Sequence, residues 1–233
     1  MAGPAPLVLH LTGGAAPDRA LVGNKAASLA AISGLGLPVP PAFVITTAAC
    51  NAYLASGAFP AGLGEAIDAG IGWLEGHTGR RFGAGPSPLL VSVRSGAVIS
   101  MPGMMDTVLN LGLCAEAEAA LAAETGLAEF ARDTRERFEV LFGEIVGAAP
   151  PTDPRAQLMA AVAAVFASWN SRRARRWRDH QGISHDLGTA VTVQAMVFGN
   201  RCARSGTGVL FSRSPLNGAP EPYGEWLPRA QGE

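Results

Sequence analysis

The chain has 233 residues, of which 48% are hydrophobic and 16% charged, and its formal net charge is −1. This length suffices for one large domain or two small lobes with a substantial core, which excludes disorder as the default expectation. A net charge so close to zero provides no global field for nucleic acid or an anionic membrane, so any phosphate-binding site must be local.

The cysteines and the hydropathy pattern indicate a reducing compartment and no membrane partner. Cys50, Cys114 and Cys202 are odd in number, widely spaced and contain no CxxC pair, so neither a disulfide framework nor a zinc site is indicated. The first residues lack a basic leader, and no apolar stretch approaches the roughly 18 residues of a spanning helix. We therefore expect a cytoplasmic protein.

The first half of the sequence predicts two strands, two helices and an extended proline segment. In chain order these are a strand over residues 6–12, an Ala-rich helix over 23–36, an extended "PVPPAFVITT" segment, a helix over 62–77, and a buried strand over 89–95. Arg94 lies near the end of that last strand, directly before a loop rich in Gly, Met and Pro.

The second half predicts three helices followed by strands. The helices cover residues 115–124, 127–146 and 156 to about 180, and the strands are "TAVTVQAMVFG", "GTGVLFSR" and "YGEWLP". In "TAVTVQAMVFG" the alternation places Val191, Val193, Ala195 and Val197 on one side. The class is α+β, not a doubly wound sheet.

The proline-rich "GAAPPTDPR" predicts a boundary between two lobes. The first lobe covers residues 1–147 and includes a helical segment, 115–147. Residues 148–155 form the linker, and residues 156–233 form a second lobe of one helix and several strands. Because the strand region stops abruptly after "RAQGE", we expect this second lobe to be incomplete.

Lys25 is a candidate anion ligand. It follows Gly23 and Asn24 at a predicted helix start, where free N–H groups and the helix dipole favour an anion. The segment is not a Walker A loop, since no GK[ST] follows the required glycine spacing. The alternative is a solvated lysine in the first helical turn.

Arg94 is the second candidate. A guanidinium that ends an apolar strand needs an anionic partner or a path to solvent, and an internal carboxylate such as Asp106 would serve. The loop that follows could instead bring backbone N–H groups to a ligand through Ser95, Gly96, Ser100, Gly103 and Met104. The residues alone leave a phosphate-binding loop and a structural turn equally open.

The arginine run "RRARRWR", residues 172–178, raises the possibility of nucleic-acid binding with Trp177 as a stacking residue. Its charges surround the helix instead of forming one stripe, and the chain is slightly acidic. We expect a solvated helix face or a contact with a neighbouring lobe, and no nucleic-acid partner. His180 and His185 are five residues apart, which is not the helical metal-ligand spacing, so they are interpreted as loop residues and no metal ligand is assigned.

Four segments together resemble the N-terminal nucleotide-binding domain of the pyruvate phosphate dikinase family, which has an ATP-grasp fold. The four segments cover most of the chain. Their opening residues are "GNKAASLAAISGLG", "LLVSVRSGAVISMPGMMDTVLNLGL", "QLMAAVAAVFASW" and "GTAVTVQAMVFGNRCARSGTGVLFSRSPLNG". The "SVRSGA..SMPGMMDTVLNLG" pattern is characteristic of the pyruvate phosphate dikinase branch.

The resemblance implies an ATP site and a cofactor. Lys25 and Arg94 fall on positions that contact the ATP phosphates, Arg137 falls on a further phosphate-side arginine, and Glu233 matches an acidic position near the nucleotide. With the loop residues Ser95, Gly96, Gly103 and Met104, they form the predicted ATP-binding set. ATP and Mg²⁺ are the implied cofactors. The family converts ATP, phosphate and pyruvate to AMP, pyrophosphate and phosphoenolpyruvate through a phosphohistidine on a swivelling domain.

The chain departs from the family in ways that leave its status as an enzyme open. It lacks a longer helical insertion before the "QLMAAVAAVFASW" helix, and the family's Mg²⁺-binding carboxylates, phosphohistidine domain and pyruvate-binding barrel all lie beyond the position of Glu233. We therefore assign no catalytic residue and expect an ATP-binding portion that is not catalytic by itself, with missing C-terminal domains or a separately encoded protein as its partner. The alternative is a stand-alone, non-catalytic nucleotide-binding protein of the same fold.

Overall fold

The computed structural model describes residues 5–13 and 17–232, which form seven α-helices and nine strands. In chain order they are β1 (Val8–Leu11), α1 (Arg19–Gly34), β2 (Ala42–Ile45), α2 (Thr47–Ser56), α3 (Leu63–Thr78), β3 (Arg81–Phe82), β4 (Pro88–Leu89), β5 (Val91–Gly96), β6 (Thr107–Leu111), α4 (Ala115–Thr125), α5 (Ala128–Val146), α6 (Pro154–Ser168), α7 (Arg172–Gln181), β7 (Ala190–Ala195), β8 (Gly206–Phe211) and β9 (Tyr223–Pro228). The predicted mixture of helices and strands is confirmed.

A five-stranded antiparallel sheet with the order β1-β2-β7-β5-β6 forms the centre of the fold. The two faces of β2 pack into different clusters, because alternate side chains of a strand point in opposite directions. Val44 joins Val22 and Ala26 of α1, whereas Phe43 and Ile45 belong to the main core with side chains from α2, α3, α5 and α6. Helices therefore cover both faces of the sheet.

Burial on both faces explains why β7 does not alternate between buried and exposed residues. All six residues of β7 are buried, because the strand lies between β2 and β5 and is covered on each side. The prediction that Val197 continues the strand is wrong: β7 ends at Ala195, and Val197 is 66% exposed.

The predicted division into two lobes at residues 148–155 places β7 apart from β2 and β5, but β7 lies between these two strands in the sheet. Helix α6 and β7 share the sheet and the main core with residues that precede this segment. The segment itself is attached to the fold by the buried Gln157, whose side-chain amide donates to Pro151 O (2.8 Å) and Leu113 O (3.1 Å) and whose Oε1 accepts from Gly112 N (2.9 Å). A change of composition at the prolines thus marks a tight connection within one core.

The predicted helix over residues 156–180 is two helices with a corner between them. Asp153 caps α6 by accepting from Ala156 N (3.0 Å), and Ser171 caps α7 by accepting from Ala174 N (3.2 Å). The polar "NS" pair after Trp169 is a start signal for a new helix, which helical periodicity alone does not reveal. His180 consequently lies in α7, and the prediction of a loop there is wrong.

Strands β8 and β9 form a separate two-stranded hairpin, as the turn signal at "SPLNGAP" predicts. Residues of β9 are exposed along its whole length. None of the helices in the described part of the chain is both long and apolar enough to cross a bilayer.

Candidate functional site

A close backbone contact between α1 and the end of β5 builds the site. Gly23 interrupts α1 with φ 75° and ψ 168°, a conformation that is essentially restricted to glycine. A Cβ at Gly23 would overlap the carbonyl oxygen of Gly96, and the next residue, Asn24, donates its N–H to Ala97 O (3.0 Å). These contacts place Lys25, in the turn after Gly23, beside the end of β5.

Lys25 and Arg94 line one cleft of about 430 Å³ together with the loop that follows β5. The other lining residues are Asn24, Ser95, Gly96, Ala97, Ser100, Met101, Pro102, Gly103, Met105 and Thr107. The described lining contains two cations and no carboxylate. Such a cleft favours an anion.

Burial and mutual repulsion of the two cations shape the electrostatics of the cleft. The pKa of Lys25 is lowered to about 8, chiefly because burial removes water from the ammonium group and secondly because the Arg94 guanidinium lies nearby. An anion between the two groups would offset both effects, because it would favour the charged form of Lys25.

Asp106 does not neutralise Arg94. Asp106 lies 3.5 Å from Arg173 Nη2, and Arg94 has no ion pair among residues 5–13 and 17–232. Moreover, Arg94 Nε is buried without a hydrogen-bond partner in that part of the chain. The interpretation of Arg94 as the partner of Asp106 is therefore wrong.

The structure brings together five of the eight predicted site residues: Lys25, Arg94, Ser95, Gly96 and Gly103. Met104 packs behind the cleft, against the cluster of Met101, Trp169 and Ala174, and is not part of the lining. Glu233 lies outside the described residues.

Arg137 lines a neighbouring cavity of about 580 Å³, which shares Thr107 with the first cleft. Its Nε donates to Asp133 Oδ2 (2.9 Å), and Glu136 and Glu144 line the same cavity. Arg137 is thus adjacent to the Lys25–Arg94 cleft but already paired, and its phosphate-binding role stays a prediction.

Sequence reasoning named Gly23 only as a helix-start residue and did not identify Thr107, Met101 or Met105 as lining residues. Gly23 matters because its backbone meets that of Gly96, 73 positions later. The only available signal was the presence of a glycine shortly before Lys25 and another shortly after Arg94. Thr107 pairs with Arg94 across β5 and β6, a register that the sequence alone does not reveal.

A larger cavity, of about 720 Å³, lies at the opposite end of β5, near Leu89 and Leu90. Its two arginines already share one carboxylate, because Glu124 Oε1 lies 2.8 Å from Arg80 and 3.4 Å from Arg201, whereas the two cations of the Lys25–Arg94 cleft have none in the described lining. Charge, and not volume, therefore identifies the Lys25–Arg94 cleft as the candidate site.

The family described as pyruvate phosphate dikinase, AMP/ATP-binding domain, matches residues 19–72 and 55–224, which include the cleft. The chain belongs to this family. Its relatives include pyruvate, phosphate dikinase of Rhizobium meliloti (strain 1021), at 44% identity over 94% of this chain and 30% of the relative. Pyruvate, phosphate dikinase 1, chloroplastic, of Oryza sativa subsp. japonica is 43% identical over 91% of this chain and 28% of the relative. Pyruvate, phosphate dikinase, chloroplastic, of Flaveria trinervia is 41% identical over 92% of this chain and 28% of the relative.

This member of the dikinase ATP-binding family thus spans about 30% of the length of the curated relatives it matches. The alignment with the Rhizobium meliloti protein covers 268 positions, more than the 233 residues of this chain. That relative consequently has additional residues within the aligned region.

Proposed function

We propose that the chain binds ATP with its phosphates between Lys25 and Arg94. The observation that carries this proposal is the pair of cations facing one cleft whose described lining offers no carboxylate. Membership of an AMP/ATP-binding domain family supplies the ligand class. The end of β5 and the loop after it supply backbone N–H groups and the hydroxyls of Ser95 and Ser100.

In this proposal the residues of the cleft neutralise and orient the phosphates. Phosphoryl transfer depends mainly on positioning and on charge stabilisation, so a lysine and an arginine at the phosphates are the expected groups. Arg94 presents a planar set of donors that can bind two phosphate oxygens at once, while the Lys25 ammonium acts as a compact point charge. Gly103, with φ 69°, allows the loop backbone to turn close to the ligand.

The described residues do not fit a protein-held Mg²⁺ site. No group of three or more His, Cys, Asp or Glu side chains suited to a metal ion occurs within residues 5–13 and 17–232. In the Lys25–Arg94 cleft, charge neutralisation by this chain therefore depends on side-chain cations.

We further propose that this chain is the ATP-binding portion of a pyruvate phosphate dikinase. The family match and the dikinase names of its relatives support this. The overall reaction would convert ATP, phosphate and pyruvate to AMP, pyrophosphate and phosphoenolpyruvate. Because no histidine lines the described cleft, we expect the chain alone to bind ATP but not to form AMP in a pyruvate- and phosphate-dependent manner.

Calorimetric titration of the purified chain with ATP tests the binding proposal. Arg94→Met should weaken binding by about ten- to a hundredfold, since a charge-assisted hydrogen bond contributes about 1.5–3 kcal/mol. Arg80→Met removes the same charge from the larger cavity and should leave the affinity for ATP unchanged. Equal losses in both variants, or no binding by the unaltered chain, would contradict the proposal.

A further inference from the structure

The loop of residues 97–106, called the methionine loop here, forms one wall of the Lys25–Arg94 cleft and rests on the corner between α6 and α7. Met101 is 7% exposed and packs with Trp169, which is 1% exposed, and with Ala174. Ala97, Met104 and Met105 pack against the same cluster. Trp169 itself does not line the cleft.

Within the described part of the chain, polar contacts hold this loop only at a few points. At its start, Asn24 N donates to Ala97 O (3.0 Å), and within the loop Met104 N donates to Met101 O (3.1 Å). Near its end, Ser168 Oγ donates weakly to Met105 Sδ (3.9 Å), and Asp106 lies 3.5 Å from Arg173, but these two charged side chains are 31% and 58% exposed, so the pair stabilises the loop little. The apolar contact with Trp169 is therefore the main support of the middle of the loop.

Trp169 is fixed from behind by two residues that follow it. The guanidinium carbon of Arg178 lies 3.8 Å from the centre of the indole ring, and Arg178 Nη1 donates to Trp169 O (2.7 Å). Trp169 Nε1 donates to His185 O (2.8 Å). The ring can change its rotamer only by breaking the Nε1 bond and the stacking contact.

From this packing we infer that Trp169 is a positioning residue for the phosphate-binding loop. It touches no part of the ligand; it holds the methionine loop so that Ser100 and Gly103 face the space between Lys25 and Arg94. The effect on ATP rests on the proposed function, whereas the effect on the loop does not. A preformed loop loses less conformational freedom when the ligand binds, so its support increases affinity.

Hydrogen exchange of the ligand-free chain, followed residue by residue, tests whether Trp169 holds the methionine loop in place. Calorimetry with ATP tests whether this support increases the affinity for ATP. In Trp169→Leu the amide of Met104, which donates to Met101 O, should exchange about tenfold faster, while the amides of β7 keep their protection. The same variant should bind ATP about tenfold more weakly. Trp73→Leu, which removes another partly buried tryptophan packed against the main core, is the matched control and should change neither quantity.

Trp169→Phe keeps an aromatic ring, so its loop exchange rate and its ATP affinity should lie between those of the unaltered chain and those of Trp169→Leu. If the leucine variant does not fold, the comparison of Trp169→Phe with the unaltered chain decides. Unchanged exchange of the loop in the variants of Trp169 would overturn the inference, as would faster exchange with unaltered ATP affinity. Absence of ATP binding by the unaltered chain would instead refute the proposed function, and loop exchange alone would then decide whether Trp169 positions the loop.

Discussion

The backbones of Gly23 and Gly96 are in direct contact, so close that a side chain at Gly23 would overlap the Gly96 carbonyl oxygen. One glycine precedes Lys25 by two residues, and the other follows Arg94 by two residues. The contact therefore sets how near the two cations of the cleft can approach each other, although the residues lie far apart in the chain.

Gly23→Ala should destabilise the fold and weaken ATP binding together. The residue combines a positive φ with a steric overlap, so we expect a loss of about 2–4 kcal/mol in the free energy of unfolding. Gly72→Ala in α3 is the matched control, because a Cβ there meets no atom within 4 Å, and it should stabilise the chain by about 0.5–1 kcal/mol. Chemical denaturation measures the free energy of unfolding of both variants, and similar effects of the two substitutions would contradict the role of the Gly23–Gly96 contact.

ATP affinity should fall as the pH rises through the pKa of Lys25. In the free chain this pKa is about 8, and bound phosphate favours the protonated ammonium and raises it. Affinity is then highest below pH 8 and decreases above it, by about tenfold between pH 7.5 and 9.5. Calorimetry across this range measures the trend, and Lys25→Met should bind more weakly without this decrease. A pH-independent affinity of the unaltered chain would refute the involvement of Lys25.

Removal of Arg94 should raise the pKa of Lys25 from about 8, because repulsion by Arg94 is the second cause of its depression. Burial, the larger cause, remains, so the pKa should not return fully to the ordinary lysine value. NMR titration of the Lys25 side chain in Arg94→Met measures the shift. Arg176→Met, on an exposed part of α7, removes an equal charge and should leave the pKa of Lys25 where it is.

Arg178→Ala should destabilise the chain far more than Arg176→Ala. Arg178 is fully buried, stacks on Trp169 and donates from Nε to His185 Nδ1 (3.0 Å), whereas Arg176 is exposed. Loss of the buried side chain leaves a cavity and unpaired acceptors, which costs about 3 kcal/mol, against less than about 0.5 kcal/mol at the surface. Thermal or chemical denaturation gives the comparison, and equal effects would show that the packing of Arg178 is unimportant.

The arginine run shows where sequence patterns failed. Its charges surround the helix and predict a solvated face or a contact with a neighbouring lobe, yet Arg178 is buried and Trp177 packs near the methionine loop. Helical periodicity does not show that a guanidinium will stack on a tryptophan nine residues earlier, because that contact requires the corner at Ser171. The predicted contact with a neighbouring lobe is nearer to the structure than a solvated face, because Trp177 packs against the cluster that contains Met101.

The secondary structure around the cleft was predictable, and its long-range contacts were not. Local glycine, proline and capping signals locate α3, α4 and α5 within a few residues. In contrast, the insertion of β7 between β2 and β5 depends on pairing between residues about 100 or more positions apart, and the contact of Gly23 with Gly96 joins residues 73 positions apart. The candidate residues Lys25 and Arg94 could be named from chemistry, but that they share one cleft is a result of tertiary structure.

The most direct test of the central claim is an NMR titration of the ¹⁵N-labelled chain with ATP that maps chemical-shift changes onto the sequence. ATP bound as proposed will produce its largest shifts at residues 23–25 and 94–107, with smaller changes elsewhere. Shifts concentrated instead around Arg80, Glu124 and Arg201 at the opposite end of β5, or no shifts at saturating ATP, would contradict the claim that the Lys25–Arg94 cleft is the ATP site.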